Sequence, residues 1–293
     1  MGITVAAIQT IPVSGNPEKT LQKGLALLDQ ASKQDVQLAV FPELFYPGYE
    51  LYNTAKKNPK KYDHLMAQFI PLAETVPGNT IQRFCDKARE HEMHVVFTLL
   101  ERGEHESLHN SSVLIDSDGN IRNVHRKTIL TPFFETPEIA AGSEFSVTET
   151  AIGNIGQLIC ADSSCPEGPR ILAIKGADIL CLSMGGCSIM VDGHNVMDPI
   201  MEHCHASNSR AVDNGVFFIV ANLSGREGSV EFFGKSKIVS PFGIVLARGQ
   251  EGVDNEELVI AEIEIDELKS IPLKMIERRR PEIYEDILQP NRY

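Results

Sequence analysis

The chain has 293 residues, 42% of them hydrophobic and 23% charged, with 27 Lys+Arg against 40 Asp+Glu and a net charge of −13. That is an ordinary globular composition, long enough for one large core or two domains. The acidic balance argues against nucleic acid or an anionic membrane as a partner, since both call for a basic surface.

Other function classes drop out on local grounds. The basic runs Lys56-Lys57, Lys60-Lys61 and Arg278-Arg279-Arg280 sit among acids and read as solvated faces. The N-terminus enters ITVAAIQ directly, without a signal-peptide pattern. The longest uncharged apolar stretch, 179–191, is too short for a bilayer and carries two glycines, so no membrane span is expected. The six cysteines, at 85, 160, 165, 181, 187 and 204, lack the CxxC pairs of a zinc site. A cytoplasmic protein with mostly buried, inert thiols is the default.

Residues 3–9 read as a buried strand. Asn16 and Pro17 read as a helix cap and first helical residue, with Leu21, Leu25, Leu28 and Ala31 on one face. A second strand over 37–41 ends at Pro42-Glu43, and 46–49 is a turn. Residues 62–92 read as helical, broken at 76–79, and 94–100 as a third strand. Asp118-Gly119 between the runs 110–116 and 119–126 signals a hairpin, with Lys127 just past it. A weaker hairpin spans 145–148 and 151–159. The apolar run then stops at Cys160 and gives way to small, polar and turn-forming residues.

Beyond it, 169–175 reads as a helix, 177–182 as a strand, 198–213 as a helix and 215–222 as a strand. A third hairpin joins 232–239 to 244–248, and 258–265 is a last strand. Strands alternating with helices but interrupted by hairpins imply mixed sheets with helices outside. Neither a dinucleotide-binding glycine motif nor a P-loop occurs. One domain over 1–270 is expected, followed by a polar tail, 271–293, packing on the domain or on a neighbouring subunit.

Three reactive groups stand where apolar strands end: Glu43, Lys127 and Cys160. A carboxylate after QLAVFP is costly to bury unless paired. Together the three supply what a thiol amide hydrolase needs. A carboxylate takes the thiol proton and later activates water. A cation and backbone N–H groups hold a tetrahedral oxyanion, and the cation favours the thiolate.

The chain resembles the nitrilase superfamily, the carbon–nitrogen hydrolases. The resemblance runs in order through VAAIQ, VFPELFYPGY around Glu43, HNSSVLIDSDGNIRNVHRK leading to Lys127, and IGQLICAD around Cys160. It continues through NSRAVDNGVFFIVANLSG, FFGKSKIVSPFGIVLA and the RRRPEIY of the tail. It implies a four-layer α-β-β-α sandwich with two mixed sheets, and a homodimer or larger homo-oligomer. It also implies Glu43 as base, Lys127 as cation, Cys160 as nucleophile, and a second glutamate at Glu135 before Gly142. The N–H of Ala161 is expected at the oxyanion, with Asp162 and Met184 among the substrate-binding positions. No metal or organic cofactor is implied, and the substrate is a small amide.

The residue after the nucleophile is usually aromatic in this family and here is Ala161, which reshapes the pocket. True nitrilases tend to follow the cysteine with Trp-Glu, whereas this chain has Ala161-Asp162 and no tryptophan. That favours an amidase or carbamoyl hydrolase over a nitrilase, which acid release from nitriles would distinguish. The stretch 183–195 matches poorly and is expected to line the pocket. A catalytically silent scaffold would lack one of the three residues, and none is missing. A metal hydrolase using His203 and His205 predicts inactivation by chelators, but neighbouring helix residues point different ways. Cys165 reads as a small loop residue.

Overall fold

The structure is a computed structural model that describes residues 2–48, 67–131, 135, 138–188, 190–191, 194–195, 208–227, 230–266, 268 and 275–289. Its strands begin with β1 (Gly2–Gln9), β2 (Leu38–Val40), β3 (His94–Arg102), β4 (Leu108–Ile115), β5 (Ile121–Arg126), β6 (Val147–Thr150), β7 (Gly153–Ile159) and β8 (Ile179–Met184). They continue with β9 (Met190–Val191), β10 (His194–Asn195), β11 (Phe217–Asn222), β12 (Ser224–Glu227), β13 (Val230–Phe233), β14 (Lys237–Val239), β15 (Val245–Arg248) and β16 (Glu257–Glu264).

Two six-stranded sheets form, ordered β16-β1-β2-β3-β4-β5 and β15-β14-β11-β8-β7-β6. In the first, β1, β2 and β3 run parallel and the flanking strands antiparallel. In the second, β7, β8 and β11 are the parallel centre, again with antiparallel flanks. The parallel centres are buried on both faces, which is why 38–40 and 179–182 read as unbroken apolar runs rather than alternating ones.

The sheets face each other through Ile3, Val5, Leu38, Val96, Ile179 and Phe217. Helix Pro17–Ser32, capped by Asn16 Oδ1 accepting the Lys19 N–H at 3.0 Å, and helix Asn79–Glu90 cover the outer face of the first sheet. There Phe84 stacks on Phe97 with centroids 3.8 Å apart, and Phe41 meets both edge-on. Helices Glu167–Ile174 and Ser209–Asn214 cover the second sheet through Leu172 and Ala211. The result is the four-layer α-β-β-α sandwich with two mixed sheets.

Two details differ from the sequence reading. The expected strand 232–239 is two strands, because Gly234 and Lys235 both take left-handed backbone (φ +72° and +59°). Its first half pairs with β12, which was not foreseen. Of the helix expected over 198–213 only Ser209–Asn214 lies within the described residues. Residues 203–205 and most of the side chains of 189–195 lie outside them, as does the first part of the helix expected over 62–92. The tail turn Met275–Arg278 contacts helix Ser209–Asn214 of the same chain.

Candidate active site

The parallel strands of both sheets end on one side of the sandwich, and the reactive groups stand there. β2 stops at Val40, and the chain turns through Pro42 and Glu43 with Leu44 in left-handed backbone (φ +46°). Thr98 of β3 clamps this turn: its hydroxyl donates to the Pro42 carbonyl and accepts the Phe45 N–H at 3.0 Å. The Glu43 N–H donates to the Met184 carbonyl at 3.3 Å, tying the turn to the second sheet. Lys127 follows β5; its N–H donates to the Asn110 carbonyl (2.9 Å), and its carbonyl accepts the Gly142 N–H (2.8 Å). A Cβ at Gly142 would stand 2.1 Å from the Arg126 carbonyl, so only glycine allows that approach.

Cys160 is the first residue after β7, at the head of a short 3-10 turn, with φ +43°. Left-handed backbone at a non-glycine residue is costly and clusters at functional positions. It turns the thiol out of the strand direction. Arg210 braces the far side of this turn by donating from Nε to the Ser163 carbonyl and from Nη2 to the Ser164 carbonyl, both at 3.1 Å.

Lys127 Nζ lies 2.8 Å from Glu43 Oε1 and 2.8 Å from Glu135 Oε1. Glu43 is 0% exposed and Lys127 1%, so the group is out of water. Burial alone would depress the Lys127 ammonium, but Glu43, Cys160 and Glu135 outweigh it and hold the group well above its ordinary value. Burial lifts the Glu135 carboxyl; Glu43 adds to the rise and Lys127 opposes it. Burial also pushes the Cys160 thiol well above its ordinary value, with Glu43 adding to the rise. Lys127 and the Gly185 N–H pull it back only in part. The resting sulfur is therefore a thiol, and its proton must leave during attack.

The structure thus brings Glu43, Lys127, Glu135 and Cys160 together. Ala161 lies beside them, buried in the same turn. One other expectation needs correction. Asp162 does not face a substrate space: its Oδ1 accepts the N–H of Thr128 (2.9 Å), the Thr128 hydroxyl (2.7 Å) and the N–H of Ile129 (2.9 Å). Its Oδ2 meets His125 Nε2 at 2.8 Å and accepts the Ile159 N–H at 3.0 Å. A fully buried carboxylate needs that many donors, and they exhaust it. Met184 sits on the strand face shared with Leu180 and Leu182, and its side chain packs in one buried cluster with Cys160, Val220 and Phe233. Its carbonyl accepts the Glu43 N–H.

One neighbour was missed. Asn110 of β4 donates from Nδ2 to Glu43 Oε1 at 2.8 Å and to Glu135 Oε1 at 3.3 Å. Nothing in the sequence set it apart from His109, Ser111 and Ser112 beside it in the same strand. Next to the nucleophile, Gly186 donates its N–H to Asn222 Oδ1 at 2.7 Å, and Asn222 Nδ2 donates to the Gly234 carbonyl at 2.6 Å. This holds Gly185 against the sulfur.

Two mixed sheets between helical layers, with a thiol, an ammonium and two carboxylates converging where their parallel strands end, define an α/β-sandwich hydrolase. Comparison with known proteins makes this specific: the chain belongs to the carbon–nitrogen hydrolase family, whose profile matches residues 4–273. It is 31% identical over 267 residues to a nitrilase of Pyrococcus abyssi, covering 90% of each chain. It is 27% identical over 290 residues to omega-amidase NIT2 of Bos taurus, covering 95% of this chain and 96% of the relative. Among solved structures, a carbon–nitrogen hydrolase from Helicobacter pylori G27 superposes with a TM-score of 0.82 at 26% identity, covering 99% of each chain.

Proposed function

We propose that this protein is an amidase that cleaves the C–N bond of a small non-peptide amide or carbamoyl compound through a thioester on Cys160. The observation that carries the reading is the Lys127 ammonium set 2.8 Å from both Glu43 and Glu135, beside the thiol. Glu43 takes the thiol proton as sulfur attacks the amide carbon, forming the C–S bond and moving the carbonyl electrons onto oxygen. Lys127 and the Ala161 N–H hold that oxyanion. The tetrahedral intermediate collapses, the C–N bond breaks, and Glu43 returns the proton to the leaving ammonia or amine. Glu43 then deprotonates water, which attacks the thioester and releases the acid with the thiol restored. Glu135 orients Lys127 and the substrate. Side chains supply every step, so the reading calls on no metal or cofactor.

The test is ammonia release from a panel of small amides by wild type and Cys160→Ala. Release by the wild type alone supports the reading, and equal rates in both would end it.

We further read the protein as a homodimer or larger homo-oligomer, because Phe242 and Ile244 are more than half exposed beside the exposed Val212. Residues 271–293 are read as a tail on the 1–270 domain. The five cysteines at 85, 160, 165, 181 and 187 stand as thiols, not disulfides, which supports a reducing compartment such as the cytoplasm. Among the described residues no helix is long and apolar enough to cross a membrane.

A further inference from the structure

We propose that Asn110 is a positioning residue of this site: by donating to Oε1 of both Glu43 and Glu135, its side-chain amide fixes the two carboxylates around Lys127. The inference rests on the amidase reading above and adds a residue to which the mechanism there gives no role.

The geometry carries it. Glu43 Oε1 takes two donors, Lys127 Nζ and Asn110 Nδ2, both at 2.8 Å. Glu135 Oε1 takes the same two, at 2.8 and 3.3 Å. One ammonium and one amide are therefore shared by two carboxylates whose charges repel. The orientation of the amide is unambiguous. Reversing it would set its oxygen against two carboxylate oxygens, and the orientation observed leaves Asn110 Oδ1 buried with no hydrogen-bond partner among the described residues. A native site that leaves a buried acceptor unsatisfied does so for a compensating gain, and here the gain is the pair of charge-assisted bonds from Nδ2. The Asn110 carbonyl also accepts the Lys127 N–H at 2.9 Å, so one residue of β4 sets both the lysine and the acids.

Among the described residues, the charged groups facing this amide are Glu43 after β2 and Glu135, with Lys127 after β5 bound to both. A hydrogen bond donated to a carboxylate favours its ionised form. Removing the donor takes away a bond that favours the ionised form of the carboxylate pair, so base-assisted reactivity of Cys160 is lost at higher pH.

The test needs no knowledge of the natural substrate. Iodoacetamide alkylation of the full-length protein is followed against pH at the Cys160 peptide by mass spectrometry, with the exposed Cys165 peptide as internal control. Asn110→Leu keeps the volume and removes the donor; Asn110→Asp is the near-isosteric second variant should Leu fail to fold. For Asn110→Leu, the acid limb of Cys160 alkylation is expected to move up by about one pH unit, an approximately tenfold slower reaction at the foot of the limb. The plateau and the Cys165 profile should stay unchanged. Asn110→Asp is expected to add an alkaline limb, because only its protonated form donates. Wild-type profiles in both variants would overturn the positioning role. Failure of the amidase reading looks different: wild-type Cys160 would then react no faster than Cys165.

Discussion

Replacing Asp162 by asparagine separates a substrate-binding role from a structural one. The carboxylate joins the segment after Lys127 to the turn that carries Cys160, through Thr128 and Ile129 on one oxygen and Ile159 and His125 on the other. An asparagine with its oxygen on the Oδ1 side keeps the three bonds from Thr128 and Ile129. Its NH2 group then faces the Ile159 N–H, donor against donor. The His125 ring accommodates the change by reversing its tautomer, but the Ile159 N–H has no such recourse. An orphaned buried N–H costs ~1–3 kcal/mol and the surviving bonds lose charge assistance, so a loss of about 2–4 kcal/mol is expected.

Urea denaturation across pH measures this loss and checks its origin. Burial alone would lift the Asp162 carboxyl; the His125 bond and charge, with the N–H groups of Ile129 and Ile159, outweigh it and hold the group below its ordinary 3.8. A carboxylate depressed in the folded state contributes stability that is present above its unfolded value and lost as pH falls through the folded one. The wild-type advantage over Asp162→Asn should therefore be full at pH 7 and shrink only below about pH 4. In activity assays kcat should fall with KM little changed. A stability difference under about 1 kcal/mol at neutral pH, or a raised KM with stability intact, would refute the structural assignment.

Two further substitutions probe the centre. Lys127→Met leaves Glu43 and Glu135 buried without their shared ammonium, so about 3–5 kcal/mol of stability should be lost along with alkylation of Cys160. The Lys127 contribution, raised in the folded state, is present below 10.5 and lost only as pH rises through the folded value, so denaturation at pH 6 and pH 9 should show the same deficit. Gly186→Ala would place a Cβ 2.5 Å from Met184 Cε and 2.8 Å from Phe233 Cζ. Overpacking of this kind costs about 1–3 kcal/mol, and the displaced Gly185 should lower kcat as well. Wild-type melting and turnover in this variant would remove Gly185 from the catalytic account.

The sandwich was legible because its evidence is local. Unbroken apolar runs such as 179–182 report parallel strands buried on both faces, and Asp118-Gly119 reports the β4–β5 turn within four residues of chain. The reactive side chains were legible by type, since Glu43, Lys127 and Cys160 each end an apolar run. What no local pattern could encode was which polar residues would be absorbed by the fold. Asp162 sits two residues from the nucleophile and reads as part of its pocket, yet partners 33 to 37 residues back in the chain consume it. Asn110 shows the converse. It sits in a strand whose neighbours are all buried, and only the convergence of Glu43, 67 residues before it, and Glu135, 25 after it, gives its amide a function. In both cases proximity in sequence to a reactive group was a poor guide, and hydrogen-bond demand in the assembled interior decided the role. A buried carboxylate collects donors until it is satisfied. The fold met that demand for Asp162 with backbone N–H groups, and for Glu43 and Glu135 with one lysine and one asparagine.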